Sequence, residues 1–421
     1  MLRTALLPFA RVLSCFALCL PAQLQATPLL AFTFSPSPDI PGFQAVPEIL
    51  PYSDERGFGW ESISANSGTA KLFSVRLPEG NYKVTATIGS ASHDADTTIK
   101  AELRRLMLEN IHTTANSTRN LTFIVNIRRP EIASGGKVRL NSPREAVHEI
   151  IAWDDKLTLE INGKNPALAA ISVEPVKVPT LFLLGDSTVT DQAFEPYASW
   201  GQMLPRFLRP DIAVANHAQS GESLQSSTNA RRLDKVLSLA QPGDFVMIQF
   251  GHNDMKSKAP NALAKYQALL TDWITKARAA GLSPILITSV HRHTFEGPKI
   301  TNSLGDYPET VRQVARTTHC PLIDLHSMSA AFYEALGPNH AIHAFKHDAI
   351  PDPKFDRTHH SPYGAYELAK CVVQGIRANV PELAQHIAPE IPEFSPSTPS
   401  PAEKFNLPTS PRHTKDKPLG N

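Results

Sequence analysis

The chain has 421 residues, 42% of them hydrophobic and 19% charged, with a formal net charge of +1. That length points to two domains plus tails, and the near-neutral balance lacks the basic excess of a nucleic-acid-binding protein. The apolar stretch Val12 to Leu20 is too short to cross a bilayer and no later run reaches membrane length, so no membrane span is expected.

With Arg3 and Arg11 ahead of it, that stretch reads as a secretory signal over residues 1–26, cleaved after Ala26, and predicts a secreted or periplasmic protein. Two of the four cysteines leave with the signal. Cys320 and Cys371 remain, too few for a disulfide framework. They either pair in an oxidising compartment or, since Cys371 lies on the apolar side of a helix, stay buried thiols.

Residues 27–177 carry a period of two. Phe73, Val75 and Leu77 alternate, Pro-Glu-Gly-Asn turns, and Tyr82, Val84, Ala86 and Ile88 alternate again. Leu121, Phe123, Val125 and Ile127 repeat the pattern, as do Leu157, Leu159 and Ile161, which run into Asn162-Gly163, read as a hairpin turn. Short strands with one apolar face predict an antiparallel β-sandwich.

Over residues 178–385 strands alternate with helices. Strands are expected at Thr180 to Leu184, Ile212 to Ala215, Phe245 to Phe250, Pro284 to Val290 and Pro321 to Leu325. The intervening helices lie near Trp200 to Leu208, Ala230 to Ala240, Asn261 to Ala280 and Glu309 to Thr318, with a last one from Ser361 that places Ala365, Leu368, Val372 and Ile376 on one face. This predicts an α/β fold, a flavodoxin-like doubly wound sheet of five parallel strands. Residues 386–421, with "PEIPEFSPSTPSPAEKFNLPTSPRHTKDKPLG" from Pro389 on, are rich in Pro and Ser and are expected to be disordered.

Ligands of an open parallel sheet bind beyond the carboxyl ends of its strands. The first three strands end in Gly185-Asp186-Ser187-Thr188, in Asn216-His217-Ala218-Gln219-Ser220-Gly221-Glu222-Ser223 and in Gly251-His252-Asn253-Asp254. A serine hydrolase needs a nucleophile, donors for an oxyanion and a histidine oriented by a carboxylate. Ser187 supplies the first, and the N–H groups of Ser187 and Gly221 with the Asn253 amide supply the second. Asp356 and His359, three residues apart before the last helix, supply the third, with His360 as the neighbouring rival. Asp186 is expected to brace the turn by hydrogen bonds rather than act as a base.

In this order Ser187, Gly221, Asn253 and His359 resemble the signature blocks of the SGNH, or GDSL, hydrolase superfamily. The flanking "GDSTVTD", "PYASWGQML", "GHND" and "DxTHxSxxGA" are similar to its rhamnogalacturonan acetylesterase group, over about residues 178 to 380. The resemblance implies Ser187 as nucleophile, His359 as base in preference to His360, Asp356 as its orienting acid, and Ser187, Gly221 and Asn253 as the oxyanion hole. It implies an acetylated polysaccharide or oligosaccharide as substrate, most of all pectic rhamnogalacturonan, with acetylated xylan or a lipid-like ester as alternatives and a catalytically inactive sugar-binding protein as the reading of another class. Some relatives carry Arg after the glycine of the second block where this chain has Glu222, which weakens uronate binding at that spot.

The segments "PGFQAVPEILPYSDERGFGWE" and "FSVRLPEGNYKVTATIG" are similar to the galactose-binding-like sandwich found ahead of such esterases. Tyr52, Arg56, Phe58 and Trp60 are then either sugar contacts or sandwich core. His291 and His293 follow the fourth strand and are expected, with Glu222, as substrate contacts. His340, His343 and His347 lack tight ligand spacing, so no metal is expected, and composition indicates no organic cofactor.

Overall fold

The computed structural model of the chain describes residues 30–34, 36–37, 40–62, 70–350, 352 and 354–419. The expected signal at 1–26 lies outside the described residues. Residues from Leu30 to Pro175 form two five-stranded sheets face to face. One runs Gln44–Val46, Leu30–Phe34, Leu168–Pro175, Gly80–Ile88 and Arg119–Ile127. The other runs Phe58–Trp60, Lys71–Arg76, Lys156–Asn162, Ala95–Ala101 and Arg105–Thr113. All pairings are antiparallel except Leu30–Phe34 with Gln44–Val46. In Gly80–Ile88 the alternating Tyr82, Val84, Ala86 and Ile88 are all buried, the pleat placing every second side chain in the core.

One expectation for this region changes, and one open alternative is decided. Asn162-Gly163 is not a hairpin turn, because Lys156–Asn162 and the following Leu168–Pro175 belong to different sheets. Phe58 and Trp60 belong to the sandwich core, with Phe32 against Phe58 (5.0 Å) and Phe34 against Trp60 (5.3 Å). The indole N–H of Trp60 is taken by the Pro47 carbonyl (3.0 Å).

The second unit is one parallel sheet in the order Ala213–Asn216, Thr180–Gly185, Phe245–Gln249, Ser283–Ile287 and Leu322–Ile323. In chain numbering of its strands this is 2-1-3-4-5, the flavodoxin-like arrangement. The first strand is apolar from Leu181 to Leu184 because both faces are covered. Leu181 and Leu183 pack with Trp200, Leu368 and Val372, while Phe182 and Leu184 pack with Leu270, Trp273 and Ile274. The expected helices appear, the longest being Ala262–Ala279 and Pro362–Asn379. The sequence reading passed over Leu224–Asn229 and the 16-residue Leu325–His340, whose run is broken by Gly337 (φ 74°) before Pro338.

Residues 386–419, expected to be disordered, are packed. Phe405 sits on Tyr363 and Tyr366, and the Tyr363 hydroxyl donates to the Ser400 carbonyl (2.7 Å). Lys100 of the sandwich donates to the Pro408 carbonyl (2.8 Å), and buried Ser410 donates to Glu160 (2.8 Å). Composition missed this because a strap needs no core of its own. Prolines reduce the entropy such a segment loses on docking, and its backbone completes the hydrogen bonds of side chains buried in both units.

The two units are joined by buried charge. Beyond Ala101 the chain turns with Glu102 and Arg104 at φ 56° and 64°. Arg104 donates to the carbonyls of Gln192 (2.9 Å) and Tyr197 (3.0 Å) and pairs with Glu195, while Arg105 pairs with Asp191 (3.2 Å). Cys320 and Cys371 are unpaired and buried, and the Cys320 thiol donates to the Pro284 carbonyl (3.1 Å). Burial pushes the Cys320 thiol up to about 11 and that of Cys371 upward as well. Among the described residues no helix is long and apolar enough to cross a membrane.

Candidate active site

The chain leaves its first parallel strand through Gly185, where a Cβ would lie 2.5 Å from a Val189 methyl and 2.8 Å from the Gln249 carbonyl oxygen. The turn is then fixed by Asp186. Its Oδ1 accepts from the Thr188 N–H and hydroxyl (both 2.9 Å), its Oδ2 faces His252 Nδ1 (3.3 Å), and its carbonyl accepts from Val189 and Thr190 (3.0 Å each). Burial alone would raise the Asp186 carboxyl, but His252 and these donors hold it below the usual carboxylate range.

Ser187 is presented by this turn. Its Oγ lies 2.9 Å from His359 Nε2, and His359 Nδ1 lies 2.9 Å from Asp356 Oδ2. The other carboxylate oxygen of Asp356 accepts from the N–H groups of Thr358 (2.9 Å) and His359 (3.1 Å). Burial opposes ionisation of Asp356, yet the His359 hydrogen bond and charge and the two N–H donors hold its carboxyl well below the ordinary range. His360 faces elsewhere, with its Nε2 2.8 Å from the Tyr333 hydroxyl.

Parallel pairing brings the second and third strand ends alongside. The Gln219 N–H donates to the Gly185 carbonyl (3.0 Å), and Gly221 follows at φ 82°, a left-handed conformation that glycine adopts without strain. Asn253 Nδ2 donates to the Glu222 carbonyl (3.0 Å), and Asp254 Oδ1 accepts from the Leu224 N–H (2.9 Å), tying the two loops together. Burial pushes the Asp254 carboxyl up to about 7. Among the described residues no acceptor takes the N–H of Ser187 or of Gly221.

The expected substrate contacts are not borne out. Glu222 is buried and turned away from Ser187, its Oε1 bound by Arg232 Nε (2.7 Å) while the same guanidinium takes Glu145 through both terminal nitrogens (2.9 and 2.7 Å). His291 stacks on His326 (3.5 Å between rings), and burial pushes it down to about 4. His293 is packed among Phe295, Phe345 and Phe355, with its Nε2 3.0 Å from the Pro338 carbonyl. For Glu222 the buried guanidinium of Arg232, and for the two histidines the rings packed against them, outcompete the cleft, and a loop sequence displays none of these partners.

The sequence reading missed residues that the fold brings to this place. Gln192 donates to the Ser187 carbonyl (2.7 Å), Tyr197 packs edge-on to His359 (5.9 Å), and Arg144 of the first unit reaches Gln192 Oε1 (3.2 Å). Beside them opens a pocket of about 330 Å³ walled by Arg144, His148, Phe194, Tyr197, Asp416 and Lys417, among others, so three separated stretches of chain frame it. Arg292 reaches Thr358, Met255 and His252. Elsewhere His340, His343 and Glu403 bring ligand atoms within 4.8 Å of one another, a grouping that becomes visible only once the strap is docked.

A serine hydroxyl, an imidazole and a carboxylate in line, next to two strand-end loops, is the arrangement of an ester hydrolase. Residues 183–364 match the model of the GDSL-like Lipase/Acylhydrolase family. The chain is 36% identical over 223 residues to rhamnogalacturonan acetylesterase RhgT of Bacillus subtilis, an alignment that covers 51% of this chain and 95% of the relative. The chain belongs to the GDSL-like lipase/acylhydrolase family. It is a serine esterase, with a β-rich region ahead of the GDSL domain. The probable rhamnogalacturonan acetylesterase YesY of the same organism is 33% identical over 202 residues, covering 47% of this chain and 92% of its own. A longer match, 25% identical over 373 residues, is to the uncharacterized esterase YxiM, covering 82% of this chain and 90% of that one.

Proposed function

We propose that this GDSL esterase removes O-acetyl groups from an acetylated plant cell-wall polysaccharide, pectic rhamnogalacturonan foremost, and that it does so after export directed by residues 1–26. The observation that carries the chemistry is the unbroken line Ser187 Oγ, His359 and Asp356, with 2.9 Å at each step. The activity named for the two Bacillus relatives supports the choice of substrate.

In this reading His359 Nε2 takes the Ser187 proton as Oγ attacks the acetyl carbonyl. The N–H groups of Ser187 and Gly221 and the Asn253 amide receive the developing oxyanion. Collapse expels the sugar oxygen, which takes the proton from His359, and leaves acetyl-Ser187. Water gives a proton to His359 and attacks the acyl carbon; collapse breaks the bond to Ser187 Oγ, which takes that proton back from His359 as acetate leaves. Asp356 holds the ring in the tautomer that exposes Nε2 to serine and stabilises the imidazolium. Sugar residues beyond the acetylated one extend into the pocket beside Tyr197.

The test is acetate release from acetylated rhamnogalacturonan and, in parallel, acetylated xylan, by wild type and Ser187→Ala. Release that is faster on the pectic polymer and abolished in the variant is expected. Faster release from xylan would displace the pectic substrate, and wild-type release equal to that of Ser187→Ala would end the serine mechanism. Asn253→Ala is expected to lower kcat by about 10²- to 10³-fold while leaving the melting temperature in place.

A further inference from the structure

Between His291 and His293, whose rings are both buried, Arg292 reaches the two loops that carry His359 and Asn253. Its Nε donates to the Thr358 hydroxyl (3.2 Å), one terminal nitrogen to the Met255 sulfur (3.3 Å) and the other to the His252 carbonyl (3.3 Å). These three acceptors are neutral, one is a thioether, and the two contacts to oxygen are long. Thr358 and Met255 belong to the two loops that carry His359 and Asn253, so the guanidinium spans the strip between the base and the oxyanion donor.

Among the described residues no carboxylate forms an ion pair with Arg292, although it is half-buried. Asp186 and Asp356, the anions that influence it, are committed to His252 and Thr188 and to His359. Lys256 adds a second cation on the same loop, its Nζ donating to Asn253 Oδ1 (3.0 Å). A half-buried charge is costly unless an anion meets it. A guanidinium has five N–H donors. With three engaged, one N–H remains on each terminal nitrogen to receive a carboxylate.

We infer that Arg292, with Lys256 beside it, is a specificity-determining residue that binds the carboxylate of an acetylated uronate while Ser187 attacks the ester on the same or the adjoining sugar. The inference rests on the reading of the site as a carbohydrate acetylesterase and deepens it. Glu222, the position from which the sequence argued against uronate binding, is buried on Arg232, so its charge does not face the substrate. The carboxylate is received from the opposite side of Asn253.

The test uses the full chain, a neutral acetate ester (4-nitrophenyl acetate) as substrate, and three competitive inhibitors at pH 7: D-galacturonate, its methyl ester and D-galactose. In the wild type the inhibition constant of galacturonate is expected to lie about tenfold to a hundredfold below those of the two neutral sugars, the range for a hydrogen-bonded charge pair. Arg292→Gln should close that gap. Arg292→Lys, which keeps the charge and loses the fork, should leave part of it, and Lys256→Met should narrow it slightly. Equal inhibition by all three sugars in the wild type would overturn the inference, as would a gap that survives in Arg292→Gln. Ser187→Ala in the same assay keeps the two readings apart, because turnover that does not depend on Ser187 fails the esterase mechanism itself. A merely structural role for Arg292 would weaken all three inhibitors alike, leave their ratios unmoved and so overturn the inference too.

Discussion

Two buried carboxylate–imidazole pairs flank Ser187, and they differ in what the second ring nitrogen meets. In the Asp356–His359 pair, Nε2 faces the serine hydroxyl at 2.9 Å. In the Asp186–His252 pair, Nε2 faces the Val290 carbonyl at 3.0 Å. A carbonyl has no proton to give, so His252 is a strut joining the Ser187 turn to the end of the fourth strand, whereas His359 faces a hydroxyl with which it can exchange a proton. Residue type is the same in both pairs, and the partner of one atom separates chemistry from scaffolding.

The widest separation between the pairs is expected from paired carboxamide variants. Asp356→Asn should cut kcat by about 10⁴-fold, with a loss of stability similar to that of Asp186→Asn, because Asp356 also accepts three hydrogen bonds. Asp186→Asn should show itself first in stability, by about 1–3 kcal/mol, because a buried carboxylate accepting three hydrogen bonds is replaced by a group that accepts fewer. Kinetics and thermal melts of the two side by side decide the matter. A loss of kcat in Asp186→Asn as large as in Asp356→Asn, at an unchanged melting temperature, would erase the distinction.

The contrast extends to a third buried cluster, Arg232 with Glu145 and Glu222, which ties the first unit to the loop carrying Gly221. Arg232→Met leaves two buried carboxylates without their cation and is expected to cost about 3–5 kcal/mol. Adding Glu145→Gln and Glu222→Gln should recover part of that loss in a thermal melt. No recovery would mean that the charge pairing is not what the arginine supplies.

The smallest effect concerns pH. Burial, with Asp154 nearby and Arg105 opposing, pushes Glu102 up from 4.5 to about 8. Because the folded-state value lies above the unfolded one, the stability Glu102 lends as a neutral acid is fully present below about 4.5 and is lost as pH rises through about 8. Glu102→Gln should therefore lose less melting temperature than the wild type between pH 5 and pH 8. Parallel pH profiles for the two proteins would show that Glu102 is not the group involved.

Much of the proposed site is legible in the sequence. Ser187, Gly221 and Asn253 each follow a run of buried residues, and the end of a parallel strand is a local feature that fixes where the next side chain points. His359 and Asp356 were legible for a similar reason, being three residues apart at a helix start. Glu222, His291 and His293 were misplaced because their partners lie on other elements: Arg232 for the first, the His326 ring for the second, a set of phenylalanines for the third. Arg292 had no local signal, since an arginine in a loop shows nothing of the charge state around it.

By itself, then, the sequence determined the class of both folding units, the order of the parallel strands' functional ends and the residue types brought to the reaction, because hydrophobic period and turn chemistry are properties of neighbours in the chain. Only the tertiary structure decided that His252 sits between Asp186 and the Val290 carbonyl, that Glu222 turns inward onto Arg232, and that the Pro-rich end docks rather than trails. Each of those outcomes depends on a contact between residues distant in sequence, where the gain of pairing a buried charge or hydrogen bond exceeds whatever the local segment prefers.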